Sequence, residues 1–141
     1  MNPSVRFHKE GLKFYLSNST FIPGWIYKTI KQENKQPGEI NFIFCSDEYL
    51  LKINREHLKH DYYTDIITFD YSEKGSISGD IYISVDRIRD NAKTYHVTLK
   101  NEVQRVIIHG VLHLLGYLDK TPSQKKLMTH KEDFYLSLRA F

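Results

Sequence analysis

The sequence predicts an α+β protein: a small mixed β-sheet of about four strands flanked by about five helices, with a histidine-bearing helix packed on the sheet. Three observations predict this class. Short runs rich in Ile, Phe and Tyr mark strands. Amphipathic patterns between them mark helices, without strict alternation of strand and helix. The length of 141 residues, 40% of them hydrophobic and 26% charged, suits one globular domain over residues 1–141.

Two strands and two helices are predicted in the first half of the chain. Strand composition is found in "VRFHKE" and in "EINFIFCS", with the second strand expected near residues 40–45. A helix is indicated by "PGWIYKTIKQENK", with Pro23 in its first turn. Ser46 is placed to cap a helix over "DEYLLKINREHL", because Asp47 and Glu48 suit a helix N-terminus.

Two further strands and three helices are predicted in the second half. The strands are expected near residues 65–71 and 79–85, joined by a turn rich in Gly and Ser. The first helix is predicted to start at Asp86. Thr98 is expected to cap the second helix, and Thr121 begins a capping-box pattern at the third.

The helix predicted over residues 99–115 carries His109 and His113 four residues apart. At about 100° per residue the two imidazoles share one stripe, outside an apolar arc that covers about half of the circumference. This spacing suits a tetrahedral divalent metal. Gly116 is predicted to end the helix in the left-handed conformation. The chain then turns, so Asp119 is expected to fold back as a third ligand, with the fourth position open to water.

Two alternatives remain open on the residues alone. Paired histidines at this spacing also occur as half-buried, hydrogen-bonded side chains without a metal. His130, in the last predicted helix, is a rival third ligand. The glutamate of the protease motif HExxH is absent because Gly110 stands in its place. The pattern therefore favours a metal site and disfavours ordinary zinc-protease chemistry.

Charge and cysteine content limit the class of protein. The net charge of +3 is mildly basic and compatible with RNA binding. Cys45 is the single cysteine, which excludes an internal disulfide and a cysteine-rich zinc cluster. No apolar stretch approaches the roughly 18 residues of a membrane span. The N-terminus lacks the pattern of a secretion signal. We therefore expect a cytoplasmic protein with no membrane partner.

The stretch "HGVLHLLGYLD" resembles the signature of the bacterial ribosomal-RNA-maturation endoribonucleases, the YbeY family. That signature runs His-Gly-x-Leu-His-Leu-x-Gly-Tyr-Asp-His. The matching positions are His109, Gly110, Leu112, His113, Leu114, Gly116 and Tyr117. The segments "TDIITF" (residues 64–69) and "GDIYIS" (residues 79–84) resemble two strand motifs of the family. Asn54 and Asp61 match the segment that leads into the first of them.

This resemblance implies a metal-dependent endoribonuclease specific for single-stranded RNA. It implies a role in maturation of the 3′ end of small-subunit (16S) ribosomal RNA and in ribosome quality control. The implied cofactor is one Zn²⁺, which the family holds with three histidines. The implied partners are ribosomal RNA precursors and the small ribosomal subunit. The same residues are also compatible with a non-catalytic, metal-binding ribosome-assembly factor, or with a metal-dependent hydrolase of another substrate.

The third metal ligand departs from the family pattern. The family's third histidine falls at Asp119, and its preceding aspartate falls at Leu118. We expect Asp119 to complete the ligand set with His109 and His113, because a carboxylate is an acceptable zinc ligand. The exchange makes the site less positive by one charge.

A second departure lies in "NREHLKHDYYTD". The family has a basic residue, usually Arg, four positions after the asparagine, and this position is Leu58 here. The family's lysine two positions further on is His60. Lys59 and His60 are weak catalytic candidates for contacting a phosphate, and Arg55 is a further source of positive charge. The fixed guanidinium fork is lost, so the sequence predicts weaker catalysis than in relatives that keep it.

Overall fold

A computed structural model describes residues 3–141. Four strands and five helices follow one another in these residues. Their bounds are β1 (Ser4–Lys9), α1 (Ile22–Gln32), β2 (Gln36–Cys45), α2 (Asp47–His57), β3 (Ile66–Asp70), β4 (Ser76–Ser84), α3 (Val85–Thr94), α4 (Leu99–Leu114) and α5 (Pro122–Ser137). The predicted α+β class with about four strands and five helices is confirmed.

The four strands form one mixed sheet in the order β1-β2-β4-β3. Strands β1 and β2 are parallel, as are β2 and β4, whereas β3 and β4 are antiparallel. Gly75, at φ 79°, lies in the turn between β3 and β4, where Glu73 and Ser76 form an isolated bridge. The two strands are therefore a hairpin, in agreement with the predicted Gly/Ser turn.

The helix caps show which local signals the chain uses. The side chains of Ser46, Thr98 and Thr121 accept backbone N–H groups at the starts of α2, α4 and α5, as predicted. Helix α3 begins one residue earlier than predicted, at Val85, because the Ser84 hydroxyl accepts the N–H of Arg87. The predicted start, Asp86, lies in the first turn of this helix.

Each face of the sheet has its own core. Helices α1 and α4 cover one face, where Phe42, Ile81 and Ile107 are fully buried. On the opposite face, Cys45 and Ile67 pack with residues of α2. Burial raises the pKa of the Cys45 thiol to about 12, which keeps it protonated and unreactive. Among residues 3–141, none of the helices combines the length and apolar character needed to cross a bilayer.

Close packing of α4 on the sheet depends on Gly79. A Cβ atom at this position of β4 would lie 2.5 Å from the carbonyl oxygen of Phe69 and 2.8 Å from a methyl carbon of Leu114. The first neighbour is the backbone of the adjacent strand, which has little room to move. The second neighbour belongs to the last turn of α4. Glycine at this position therefore allows both strand pairing and seating of the helix.

We expect Gly79→Ala to lower the free energy of unfolding by about 2 kcal/mol or more, because the added methyl group overpacks the helix–sheet contact. Denaturant unfolding measures this change. Gly24→Ala is the matched control. Gly24 is exposed in α1, and an added Cβ there has no heavy atom within 4 Å. Its substitution should leave stability unchanged or slightly higher. Equal effects of the two substitutions would contradict the packing argument.

Candidate metal centre

Helix α4 presents its two histidines side by side. His109 and His113 are half-buried, with side chains 19% and 20% exposed. Their ring centroids lie 4.5 Å apart and the rings are nearly perpendicular. The two Nε2 atoms are 3.0 Å apart. The predicted histidine stripe therefore exists, and both rings direct the same nitrogen to one point.

The chain reverses directly after α4 and brings back Asp119. Gly116 has φ 103°, the left-handed region that glycine adopts readily. The Tyr117 N–H donates to the carbonyl of Leu112 at 3.0 Å and closes the turn. The Oδ2 atom of Asp119 then lies 3.2 Å from Nε2 of His113 and 3.3 Å from Nε2 of His109. The structure thus brings together the three residues that the sequence predicted as ligands.

In each imidazole, the hydrogen-bond partner of Nδ1 determines whether Nε2 of the neutral ring carries a proton or a lone pair. Nδ1 of His109 lies 2.6 Å from Oε2 of Glu132, and Nδ1 of His113 lies 2.9 Å from the carbonyl oxygen of Tyr117. Both partners are acceptors, so each Nδ1 carries the proton and donates it. In the neutral imidazoles, both Nε2 atoms then present lone pairs toward the Asp119 carboxylate.

This donor set fits a divalent cation. The ligand atoms of His109, His113 and Asp119 all lie within 4.8 Å of one another. Hydrogen bonds cannot pair these three atoms with one another, because all three are acceptors. A neutral imidazole that is protonated at Nδ1 has no second proton to donate. A divalent ion accepts all three lone pairs at once. Two nitrogens and one oxygen are ligands that zinc takes, and such three-residue sets leave a fourth position open.

The pKa values of the two histidines shift in opposite directions. Burial alone lowers the pKa of His109, but the hydrogen bond and charge of Glu132 more than offset burial and raise it. Burial lowers the pKa of His113, and the nearby His109 lowers it further. His113 is thus the more readily deprotonated ring.

Glu132 is held in turn by a cation. The carboxylate is buried in the contact between α5 and α4. Arg105 donates through Nη1 to Oε1 of Glu132 at 2.9 Å and through Nη2 to Asp133 at 2.8 Å. One feature of the sequence indicates this role. Glu132 occupies the buried stripe of α5 that Met128, Tyr135 and Leu136 also line. A carboxylate at such a core position requires a partner, but the identity of that partner was not predicted.

Gly110 explains why the protease glutamate is missing. A Cβ atom at Gly110 would lie 2.9 Å from Cγ2 of Ile81 and 3.0 Å from Cδ1 of Ile66. This position of α4 therefore faces the sheet at very short range. A glutamate here would be forced into the apolar helix–sheet contact, so the site has no room for the general base of HExxH proteases.

The remaining sequence candidates lie outside the ligand cluster. His130 is exposed on α5 and is not among the clustered ligand atoms. Arg55 is exposed and forms an ion pair with Asp61. Lys59 and His60 follow α2 and are exposed. Leu58, where the resemblance implies a basic residue, caps the C-terminus of α2.

A carboxylate outside the cluster fixes the turn that carries Asp119. Glu33, the C-cap of α1, accepts hydrogen bonds from the hydroxyl groups of Tyr117 and Tyr135 and from Lys131. The backbone carbonyl of Tyr117 is the acceptor for His113. Burial alone raises the pKa of Glu33, but hydrogen bonds from Tyr117, Tyr135 and Lys131 offset this and lower it. Glu33 therefore stays ionised and ties the turn to α1 and α5.

The fold and this cluster define a class of protein: a single mixed sheet carrying a candidate divalent-metal centre on its central helix. Comparison with known proteins specifies the family. The family model described as Endoribonuclease YbeY matches residues 15–139. A protein of Cytophaga hutchinsonii named Endoribonuclease YbeY is 53% identical over 139 residues, covering 98% of this chain and 97% of its own. One of the same name from Flavobacterium johnsoniae is 50% identical, covering 92% of each chain.

A solved structure agrees with the fold. The solution structure of a Thermotoga maritima protein matches with a TM-score of 0.61 at 26% sequence identity, covering 95% of this chain and 87% of that one. The chain belongs to the Endoribonuclease YbeY family. The resemblance seen in the histidine motif and in the two strand motifs is confirmed.

We expect Glu33→Gln to lower the free energy of unfolding by about 1–3 kcal/mol at neutral pH, because three donors lose a charged acceptor. The pKa of Glu33 is lower in the folded state than in the unfolded state. Its stabilisation is therefore complete above the unfolded value of about 4.3 and is lost as pH falls through the folded value. Denaturant unfolding of parent and variant over this pH range measures the difference.

Glu39→Gln controls for the loss of one charge, because Glu39 is exposed on β2. This variant should match the parent at every pH. A stability difference for Glu33→Gln that persists undiminished well below pH ~4 would contradict an ionised, hydrogen-bonded Glu33.

Proposed function

We propose that this chain is a metal-dependent endoribonuclease that cleaves single-stranded RNA. The observation that carries the proposal is the convergence of two imidazole lone pairs and one carboxylate at the end of α4. Membership of the Endoribonuclease YbeY family supports the reaction class. The packing of Gly110 against the sheet argues against peptide hydrolysis by the HExxH mechanism.

His109, His113 and Asp119 are the proposed ligands, and Zn²⁺ is the proposed metal. When bound, such an ion activates water for attack and polarises a phosphodiester oxygen. Glu132 and the Tyr117 carbonyl keep the protons of the two rings on Nδ1, so that both Nε2 atoms remain available as ligands. Arg105 balances the charge of Glu132 and aligns its carboxylate with His109.

The substrate proposed here is precursor ribosomal RNA. The finer role is maturation of the 16S 3′ end and ribosome quality control in the cytoplasm, with the small ribosomal subunit as partner. Lys59 and His60 remain candidates for offsetting phosphate charge, because both are exposed in the segment between α2 and β3. Arg55 is less available because Asp61 already pairs with it.

The identity of the third ligand is tested by two substitutions. Asp119→Ala should lower metal affinity on the order of 10-fold or more, because two imidazoles alone hold a metal weakly against water. Asp119→His should retain metal, because imidazole suits zinc at least as well as carboxylate does. Titration of zinc against a competing chelator compares both variants with the parent.

His130→Ala is the control for this titration and should bind metal like the parent. Unchanged affinity in Asp119→Ala would overturn the ligand assignment. Loss of affinity in His130→Ala instead would identify His130 as the third ligand.

Catalysis is tested with purified, metal-loaded protein and single-stranded RNA. Chelator-sensitive cleavage is expected but weak, because Leu58 lacks the charge of the family's basic residue. Leu58→Arg should raise the cleavage rate on the order of 10-fold if a guanidinium there stabilises the phosphate in the transition state. The rate is measured by gel analysis of an end-labelled RNA.

Leu99→Arg adds the same charge at a leucine of nearly equal exposure, 38% against 39% for Leu58, at the far end of α4. An equal gain in both variants would indicate general attraction of RNA instead of a local effect. Binding of precursor RNA without any metal-dependent cleavage would replace the enzyme with a non-catalytic assembly factor.

A further inference from the structure

Two exposed aromatic rings lie in the segment between α2 and β3. His60 and Tyr62 stack with their centroids 5.2 Å apart and their planes 19° from parallel. The Tyr62 hydroxyl and Nδ1 of His60 are 3.1 Å apart, within hydrogen-bond distance. Tyr62 is 56% exposed. The pair therefore presents a flat aromatic surface to solvent.

One buried residue holds the backbone of His60 and Tyr62 in place. Asn54 is only 1% exposed, and its backbone carbonyl accepts the N–H of His60 at 3.1 Å. Its side-chain amide donates to the carbonyl of Tyr62 at 2.9 Å. Lys59, between the helix and His60, adopts φ 56°, which turns the chain sharply. The backbone that carries the rings is thus organised before any ligand arrives, which lowers the entropy cost of binding.

The neighbouring aromatic and cationic groups are already occupied. The Tyr63 hydroxyl donates to Glu48 at 2.7 Å, and the guanidinium of Arg87 lies 5.2 Å from the Tyr63 ring centre. Arg55 is paired with Asp61. The His60–Tyr62 pair and the ammonium group of Lys59 are therefore the groups of this segment left to meet a ligand.

This segment leads directly to the metal centre. Ile66, the first residue of β3, packs against α4 at Gly110, next to the ligand His109. Asp65 immediately precedes Ile66 in the chain. Tyr62 is three residues before Asp65, so their Cα atoms are at most about 10 Å apart. That distance corresponds to roughly three stacked nucleotides.

We propose that His60 and Tyr62 form a stacking platform for one unpaired base of an RNA strand bound at the metal centre. This inference rests on the proposed function. A base offers its flat face to a protein ring only when it is unpaired and unstacked, so the platform selects single strands over duplexes. Lys59 beside the rings supplies positive charge for the adjoining phosphate.

The test measures equilibrium binding of the metal-loaded protein to a short single-stranded RNA with 2′-O-methyl sugars, which separates binding from cleavage. Tyr62→Ala should weaken binding on the order of 5-fold to 100-fold, the usual range for one lost stacking contact. Tyr62→Phe and Tyr62→Trp keep a stacking ring and should bind within about threefold of the parent. Tyr95→Ala removes another exposed tyrosine, 65% exposed at the end of α3, and should bind like the parent.

The same binding measurement is repeated with duplex RNA of the same sequence. The parent and all variants should bind the duplex with equal affinity. Parent-like binding of single strands by Tyr62→Ala would overturn the platform, as would an equal loss in Tyr62→Phe or an equal loss for duplex RNA. The Phe and Trp variants keep the test decisive if the alanine variant folds poorly. If metal-dependent cleavage is absent but binding still depends on an aromatic ring at position 62, the proposed nuclease activity is refuted and the platform is retained.

Discussion

Helix α4 must pack tightly on the sheet with one side and position two histidines with the other. The rest of the structure depends on this constraint. Its sheet-facing side approaches Ile81 and Ile66 so closely that position 110 has no space for a Cβ atom, and Leu114 fills the space left by Gly79. Its other side carries the two histidines. Because a helix rotates by about 100° per residue, fixing the sheet-facing side also fixes the direction of both imidazoles. Tight packing is thus what gives the site its geometry.

The groups around the imidazoles act on their protonation state more than on global stability. The Arg105–Glu132 pair is largely removed from water, so the free energy lost in desolvation offsets much of its Coulomb attraction. Its specific effect is orientation, because Glu132 accepts from Nδ1 of His109 and so directs the lone pair of the neutral ring to Nε2. The Tyr117 carbonyl does the same for His113. Conformational specificity of this kind is the best physical reason to keep a charged network in a helix–helix contact.

Local patterns predicted the elements and the convergence of His109, His113 and Asp119, because both depend on short-range periodicity. Two histidines at helical spacing, followed by a glycine, already imply a shared face and a reversing chain. The parallel pairing of β1 with β2 was not predicted, because strand order depends on contacts between distant segments. Glu132 was missed for the same reason: its partner His109 is 23 residues away and on another helix. The role of Asn54 was equally hidden, because a single buried amide has no sequence signature.

The two departures from the pattern that the resemblance implies, Asp119 and Leu58, act in the same electrostatic direction. A carboxylate at position 119 replaces an imidazole and adds negative charge beside the proposed cleavage point. Leu58 removes a positive charge from the segment that leads to it. Both changes weaken the attraction of a phosphate backbone, which normally supplies most of the affinity for nucleic acid. Stacking does not depend on net charge, so an aromatic surface retains affinity where the electrostatic contribution has decreased. The exposed His60–Tyr62 pair lies in the same segment as Leu58, where the resemblance implies a basic residue. The proposed platform would shift recognition at this site from charge toward the flat face of a base.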